Sequence, residues 1–288
     1  MGEIENEIIF GDNLRALKRF ESNSVNLIYI DPPFNTQKTR QLNQIKTIQS
    51  DDGDRIGFLG KKYKTTNIGS KQYSDSFSHD EYINDFLKPR LKEAYRILTN
   101  NGSLYFHIDY REVHYCKILL DNIFGRDCFL NEIIWAYDFG GRSKTKWPAK
   151  HDNILLYVKN PKNYIFNRDE VDRIPYLAPG LVGKEKAEKG KFPTDVWWHT
   201  IVGTNSKERT GYPTQKPLAI INRIIKASSN ENDLVLDFFA GSGTVGDSCL
   251  GLNRRFILID NNKDAIDIMK NRFQNINIKW TVLDDKFK

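Results

Sequence analysis

The sequence predicts an α/β fold built on a mostly parallel, twisted sheet, and three observations support this class. Short runs rich in β-branched and aromatic residues, such as "VNLIYI" at Val25–Ile30, are typical of strands buried on both faces. Segments with apolar residues at helical spacing alternate with these runs. A glycine-rich turn, "AGSGT", opens a helix directly after a late strand. The 288 residues suffice for one large domain with an insertion or for two modest domains.

The first part of the chain has the order strand, helix, strand. After Val25–Ile30, the spacing predicts a helix over residues 82–98 and a strand, "GSLYFHI", over residues 102–108. The segment "HYCKILLDNIFG" predicts another helix that ends at Gly125, and "NEIIWAY" predicts a further strand.

Regular patterns fade after residue 138 and resume near residue 210. The region between them mixes Gly, Pro, Lys and Trp around one clear strand, "NILLYVKN". A helix then follows over residues 216–229, with Pro217 near its start, before the strands "DLVLDFFA" and "RRFILID". The chain therefore divides into an α/β segment over residues 1–137 with an insert at 36–75, an irregular region over 138–209, and a second α/β segment over 210–288.

The composition excludes several classes of protein. No run approaches the roughly 18 apolar residues of a membrane span, and the start "MGEIENEIIF" lacks the features of a signal peptide. We therefore expect a cytoplasmic protein with no membrane partner. Cys116, Cys128 and Cys249 are odd in number and lack metal-ligand spacing, so neither a disulfide nor a bound metal is predicted.

Positive charge is concentrated in two segments of the chain. The net charge is +6; residues 36–75 carry eight Lys or Arg against four acids, and residues 138–192 carry twelve against seven. The remainder is mildly acidic. Two basic segments suit a polyanion such as nucleic acid, although lysine-rich loops in solvent produce the same excess.

A rigid acidic corner, "YIDPPFNT", follows the first buried strand. Asp31 lies at the carboxyl end of that strand, where ligands bind in open α/β sheets. Pro32 and Pro33 lack N–H donors and leave two carbonyls free to accept, so the corner suits a ligand that donates hydrogen bonds. Phe34 adds an aromatic face. From these residues alone, a turn with a capping aspartate is an equal alternative.

A second motif, "LDFFAGSGTVG", joins a buried strand to a glycine turn. Gly241, Gly243 and Gly246 satisfy G-x-G-x-x-G, and Asp260 lies where an acid binds ribose hydroxyls, so an NAD-dependent oxidoreductase is one interpretation. Asp237 argues against it, because a carboxylate at the strand end would repel a pyrophosphate but could hold an ammonium group. An adenosyl ligand with an amino-acid tail, S-adenosylmethionine, fits better.

Together the motifs resemble those of the DNA amino-methyltransferases, which methylate exocyclic nitrogens of bases. "DPPF" and "DFFAGSGT" carry the resemblance, and "FGDNLRAL" and "YPTQKP" extend it over most of the chain outside the inserts. The motif order resembles that of the β subgroup. The resemblance implies a Rossmann-like, S-adenosylmethionine-dependent methyltransferase fold with permuted motifs. It assigns residues 1–137 to the catalytic half, 138–209 to an inserted target-recognition region and 210–288 to the cofactor-binding half.

The resemblance also implies site residues, position by position. Asp31 and the Pro32 carbonyl match the acceptors of the target amine protons, Pro33 completes the motif, and Phe34 matches the aromatic that stacks on the base. The residues that match the cofactor site are Asp12, Asp31, Thr214, Lys216, Asp237, Ala240, Gly241, Ser242, Gly243, Thr244 and Asp260. Among these, Asp12 matches an adenine contact and Asp260 the ribose-binding acid. Thr214 and Lys216 could equally be a helix start with a solvated lysine.

The implied reaction is methyl transfer to a base flipped out of double-stranded DNA. Aspartate at the first motif position usually accompanies N6-adenine in this family, so we favour adenine over N4-cytosine. A catalytically silent nucleic-acid-binding module is an alternative of another class. A separate restriction endonuclease and a homodimer are partners that the resemblance allows. The candidate DNA contacts in the central region are Arg142, Lys144, Lys146, Lys150 and His151.

Overall fold

The structure is a computed structural model. It describes residues 6–35, 38–50, 52, 55–56, 61–75 and 77–283. The chain forms two compact units. The first consists of Met1–Pro32 and Ile83–Lys288, and the second of Pro33–Tyr82.

The strands of both units are numbered in chain order. They are β1 (Glu7–Phe10), β2 (Val25–Ile30), β3 (Lys38–Gln49), β4 (Arg55–Ile56), β5 (Lys62–Asp75), β6 (Leu98–Ile108), β7 (Phe129–Ala136), β8 (His151–Val158), β9 (Val196–Trp198), β10 (Leu234–Asp237), β11 (Arg255–Asp260) and β12 (Lys279–Val282).

Helices connect most of these strands. They are α1 (Asn13–Leu17), α2 (Lys88–Ile97), α3 (Val113–Phe124), α4 (Lys184–Lys189), α5 (Leu218–Ser228), α6 (Thr244–Gly251) and α7 (Lys263–Arg272). A π-helix, Glu81–Leu87, precedes α2, and single 3₁₀ turns lie at Arg126–Cys128, Arg168–Glu170 and Pro179–Leu181.

The first unit is built on a nine-stranded sheet with the order β12-β1-β11-β10-β2-β6-β8-β7-β9. Neighbouring strands from β12 to β6 are parallel. Only β8 runs the other way, antiparallel to both β6 and β7, and β9 is parallel to β7. The predicted α/β class with a mostly parallel sheet is confirmed. The late strand β10 lies between β11 and the early strand β2, which brings the two motifs of the sequence to adjacent strand ends.

The local sequence explains why these elements form. The side chains of β10 are all buried, as expected for a central parallel strand covered on both faces. Helix α5 follows Pro217, whose fixed backbone angle of −63° suits the position before a helix. Its apolar stripe is completely covered by the core and consists of Ile220, Ile221, Ile224 and Ile225.

The helix expected over residues 82–98 is present but not uniform. It starts as the π-helix Glu81–Leu87 and continues as α2, with Pro89 in the first turn. Proline has no N–H to donate to the preceding turn, so the α-helical bonding pattern cannot run unbroken through this point. Regular α-helix therefore begins only at Lys88.

The two inserts differ from the expectation of irregular structure. In the second unit, β3 pairs antiparallel with β5, and β5 with β4, so most of residues 36–75 is a regular hairpin. Its strands contain many Thr, Ile and Tyr residues, which favour extended structure. The boundary expected at residue 138 does not separate units, because β8 and β9 belong to the main sheet of the first unit. No helix in the described part of the chain is long and apolar enough to cross a membrane.

Candidate active site

Four carboxylates lie after neighbouring parallel strands. Asp31 follows β2, Asp237 ends β10, Asp260 ends β11, and Asp12 comes two residues after β1. These strands are consecutive in the sheet, so their carboxyl ends form one edge, which is the ligand-binding edge of an open α/β sheet. The structure therefore brings together the two sequence motifs from opposite ends of the chain.

The glycine turn between β10 and α6 is held by backbone geometry that requires glycine. Gly241 and Gly243 have φ angles of +51° and +74°, in the left-handed region that other residues avoid. The Gly241 N–H donates to Asp260 Oδ2 over 2.8 Å, and the Gly243 N–H donates to the Ala240 carbonyl over 2.8 Å. A Cβ on Gly241 would lie only 2.9 Å from the Tyr212 ring. The turn therefore has no room for a side chain at Gly241, and its contact with a cofactor stays a prediction.

Arg272 supports the same turn from α7, and sequence analysis missed it. Its Nη1 donates to the Ser242 carbonyl over 2.7 Å and to Thr244 Oγ1 over 3.3 Å, and its Nη2 lies 3.5 Å from Asp247 Oδ2. The Ser242 and Thr244 hydroxyls are 3.0 Å apart. A terminal arginine on an amphipathic helix looks like an ordinary cation near the helix end, so the sequence gives no signal for this role.

Asp260 is prepared to bind hydroxyl groups. Its Oδ1 accepts from the Asn262 N–H over 2.8 Å while Oδ2 accepts from Gly241. Burial raises the pKa of this carboxyl, and the backbone hydrogen bonds from Asn262, Gly241 and Asn261 partly oppose that rise. Each carboxylate oxygen can accept more than one hydrogen bond, so the fixed carboxylate fits the predicted ribose contact.

Asp237 is the most deeply buried of the four acids, with 3% of its surface exposed. Burial raises the pKa of this carboxyl well above its usual value, and the negative charges of Asp31 and Asp260 add to the rise. The Phe239 N–H, 3.0 Å from Oδ1, and the charge of Lys216 act in the opposite direction. A cationic ligand would stabilise this crowded group of carboxylates. The edge therefore fits the ammonium group of S-adenosylmethionine and disfavours a pyrophosphate.

Lys216 contacts Asp31 directly. Its Nζ donates a hydrogen bond to Asp31 Oδ2, and only 11% of the lysine side chain and 15% of the aspartate side chain are exposed. The alternative of a solvated lysine is therefore wrong. Asp31 Oδ1 is buried and has no hydrogen-bond partner among the described residues. Thr214, two residues before Lys216, is exposed.

Asp12 has a structural task in addition to its predicted adenine contact. It is the N-cap of α1, where Oδ1 accepts from the Arg15 N–H over 2.9 Å. Its Oδ2 lies 3.0 Å from Nη2 of the buried Arg90. The Nε of the same arginine donates to Asn13 Oδ1 over 2.6 Å. Burial lowers the pKa of Arg90, and the Asp12 charge opposes this. The sequence does not predict this pair, because 78 positions separate Arg90 from Asp12 and the burial of Arg90 is decided by the fold.

Pro33 and Phe34, which form the second half of the acidic corner after β2, belong to the second unit. The Pro33 carbonyl accepts a hydrogen bond from the Tyr82 hydroxyl, so the expectation that both proline carbonyls are free is wrong. The roles of Pro33 and Phe34 in the reaction stay predictions. Pro32 ends the first segment of the first unit, and its role as an acceptor likewise stays a prediction.

A chain of buried polar side chains crosses the sheet behind Asp31. The Tyr29 hydroxyl lies 2.8 Å from His107 Nδ1, and His107 Nε2 lies 3.2 Å from Asp152 Oδ2. The Tyr137 hydroxyl donates to Asp152 Oδ1 over 3.3 Å. Burial raises the pKa of Tyr29, and the charges of Asp31, Asp237 and Asp152 raise it further. The sequence gives no signal for this chain of side chains, because each member falls in a separate strand or strand end.

The candidate DNA contacts lie in the loop between β7 and β8 or at its end. Because β7 runs in the same direction as β2, this loop leaves the sheet at the edge that holds Asp31. Arg142, Lys144 and Lys146 are exposed. Lys150 is half-buried and donates to the Gly140 carbonyl over 3.0 Å, and His151 is half-buried at the start of β8. The role of all five residues as DNA contacts stays a prediction.

Comparison with known proteins identifies the family. A family model for DNA methylases that act at N6 or N4 amines matches residues 25–271. The chain belongs to this DNA methylase family. The DNA methylase is 33% identical to the type II methyltransferase M.HpaI of Haemophilus parainfluenzae over 285 residues, which cover 99% of this chain and 79% of that protein. It is 30% identical to the DNA adenine methyltransferase YhdJ of Escherichia coli K12 over 272 residues, which cover 90% of this chain and 79% of that protein.

A solved structure agrees with the fold. The crystal structure of the M1.HpyAVI–SAM complex superposes on the DNA methylase with a TM-score of 0.58 and 22% identity, covering 94% of this chain and 99% of that chain. The DNA methylase is thus a β-group DNA methyltransferase that uses S-adenosylmethionine, as the sequence predicts. The NAD-dependent oxidoreductase interpretation of the glycines is wrong.

Proposed function

We propose that this DNA methylase transfers a methyl group from S-adenosylmethionine to the N6 amine of an adenine flipped out of double-stranded DNA. The observation that carries the proposal is Asp31 Oδ1, a buried acceptor without a hydrogen-bond donor among the described residues. Leaving such an atom unpaired costs about 1–3 kcal/mol. Its location at the ligand-binding edge of the sheet favours a donor that arrives with the substrate.

The chemistry of an aromatic amine explains why two acceptors are useful. Its lone pair is delocalised into the ring, which makes the nitrogen a poor nucleophile. Asp31 and the Pro32 carbonyl accept from the two N–H groups and favour a tetrahedral nitrogen with a localised lone pair. The cofactor supplies a methyl carbon activated by a sulfonium.

In the transfer, the nitrogen–carbon bond forms as the carbon–sulfur bond breaks. The positive charge that develops on the nitrogen is stabilised by the Asp31 carboxylate, which is already oriented and partly desolvated. The surplus proton leaves the nitrogen after attack and passes to water. No protein nucleophile and no bond to a metal enters this scheme, so positioning and electrostatics are the contribution of the protein.

DNA binding is supported by the basic loop between β7 and β8. Arg142, Lys144 and Lys146 are exposed at the same edge of the sheet as Asp31, where they can contact phosphates on either side of an extruded base. Extrusion costs about a few kcal/mol, and we assign Phe34 to stack on the base. We place target recognition in residues 138–209, on a scaffold that β8 and β9 anchor to the main sheet.

Adenine is the preferred base, and N4-cytosine is the alternative. One relative that is 30% identical over 90% of the chain is named as a DNA adenine methyltransferase, and aspartate at position 31 fits the adenine pattern of the family. Both bases present an exocyclic aromatic amine, so the mechanism is the same for either. The separate restriction endonuclease and the homodimer stay predictions.

The test compares three proteins on unmethylated DNA of varied sequence with S-adenosylmethionine. They are the wild type, Asp31→Ala, and the control Asp172→Ala, which removes a surface carboxylate paired with Lys226. After digestion, mass spectrometry of nucleosides should show N6-methyladenine from the wild type and the control. Asp31→Ala should lose roughly 10²–10³-fold or more in rate.

Each other result would contradict part of the proposal. N4-methylcytosine would overturn the choice of base but keep the mechanism. An active Asp31→Ala protein would overturn the role of Asp31. A wild type that binds the cofactor but methylates no base would favour the silent binding module.

A further inference from the structure

Lys216 holds the carboxylate that the proposed reaction needs. Its Nζ donates to Asp31 Oδ2, and both side chains are largely buried. An ammonium on Asp31 competes with the target amine and opposes positive charge that develops beside it. The pair in this structure is therefore not the arrangement that best serves methyl transfer.

The surroundings of Lys216 supply a second place for its charge. Asp237 ends β10, the strand next to β2 in the sheet, so the ammonium on Asp31 lies at an edge that carries a second carboxylate. The cofactor adds an ammonium and a carboxylate of its own. We have matched the ammonium to the buried Asp237, which leaves the cofactor carboxylate in need of a cation.

Two other cations that the structure describes at this site have hydrogen-bond partners of their own. Arg90 is bound to Asp12 and Asn13, and Arg272 to the Ser242 carbonyl and Thr244. Lysine, in contrast, carries a compact charge on a flexible four-carbon stem that can turn between partners. Lys216 is therefore the group that can move.

We propose that Lys216 exchanges partners, from Asp31 in the free enzyme to the cofactor carboxylate in the complex. Cofactor binding then removes the ammonium from Asp31 Oδ2, so the full negative charge of the carboxylate acts on the target amine at Oδ1 only when a methyl donor is present. Lys216 thus acts as a positioning residue that couples the cofactor site to the base site. This inference rests on the proposed function.

The test uses ligand binding without DNA, so its failure is distinguishable from failure of the proposed reaction. Calorimetry compares S-adenosylhomocysteine with its decarboxylated analogue, which keeps the amine and lacks the carboxylate. The wild type should prefer the carboxylate-bearing ligand by about tenfold to a hundredfold, as expected for a hydrogen bond between charged groups. Lys216→Met should lose that preference, and Lys216→Arg should retain part of it.

A second variant gives the signature of exchange. Asp31→Asn removes the competing charge from Lys216, so it should tighten S-adenosylhomocysteine binding several-fold when Lys216 is present and leave it unchanged in the Lys216→Met background. If Asp31 merely contacted the cofactor, Asp31→Asn would weaken binding of S-adenosylhomocysteine instead of tightening it. The matched control is Lys226→Met on α5, which breaks a surface pair with Asp172 and should leave the preference intact.

Two outcomes would overturn the exchange. One is a Lys216→Met protein that folds, by circular dichroism, and keeps the wild-type preference for the carboxylate. The other is an Asp31→Asn protein that binds S-adenosylhomocysteine no better than the wild type, because release of Lys216 from Asp31 would then have no part in cofactor binding.

Discussion

Three glycines near α6 form a series that separates backbone strain from crowding. Gly243 has a φ of +74°, and a Cβ there would lie 2.9 Å from Met269 Cγ. Gly246 lies inside the helix without a positive φ, and its Cβ would lie 2.9 Å from Leu258 Cδ1. Gly251, the last residue of α6, has no atom within 4 Å of an added Cβ. Alanine at Gly243 therefore adds both backbone strain and crowding. Alanine at Gly246 adds crowding alone, and alanine at Gly251 adds neither.

The expected changes in the free energy of unfolding follow from this geometry. Gly243→Ala should cost roughly 1–2 kcal/mol for the left-handed backbone and about 1–3 kcal/mol for crowding. Gly246→Ala should cost only the crowding part, reduced by up to about 1 kcal/mol of helix propensity. Gly251→Ala should be neutral or stabilising by up to about 1 kcal/mol. Because the nearest atoms of Met269 and Leu258 belong to flexible side chains, the lower ends of the crowding ranges are expected.

Urea unfolding followed by circular dichroism measures all three variants, with calorimetry of S-adenosylhomocysteine as a second readout. Gly243→Ala should also weaken ligand binding by tenfold or more, because the turn between β10 and α6 must deform. Equal stability losses for Gly243→Ala and Gly246→Ala would refute the assignment of backbone strain. A large loss for Gly251→Ala would refute the use of contact geometry altogether.

Two further predictions concern buried polar groups. Burial raises the pKa of Asp237 above its unfolded value, so its contribution to stability is fully present below about pH 4 and is lost as pH rises through the raised pKa. Urea unfolding of Asp237→Asn over this range should show a weaker decline with pH than the wild type; identical slopes would contradict the assignment. Tyr29→Phe should leave His107 Nδ1 without its 2.8 Å partner and cost about 1–3 kcal/mol. The control Tyr164→Phe, at a side chain that is 39% exposed, should cost less than about 0.5 kcal/mol, and equal losses would argue against the buried chain.

The sequence by itself determined the class of fold and the chemistry of the two motifs. Short apolar runs rich in β-branched residues favour central strands, and an acid at the end of one such run, "VNLIYID", is then expected at the sheet edge where ligands bind. The positive φ angles at Gly241 and Gly243 are what a glycine turn implies. These conclusions depend on residues close together in the chain, which local patterns describe well.

Tertiary structure alone decided which distant groups meet. The insertion of β10 beside β2 joins Lys216 to Asp31, although 185 positions separate them, and the pairing of β10 with β11 brings α7 and its Arg272 to the glycine turn. The chain from Tyr29 through His107 to Asp152 likewise depends on strand order and register. Side chains from different strands interact only when the sheet assembles, and a single sequence carries no local pattern that specifies such neighbours.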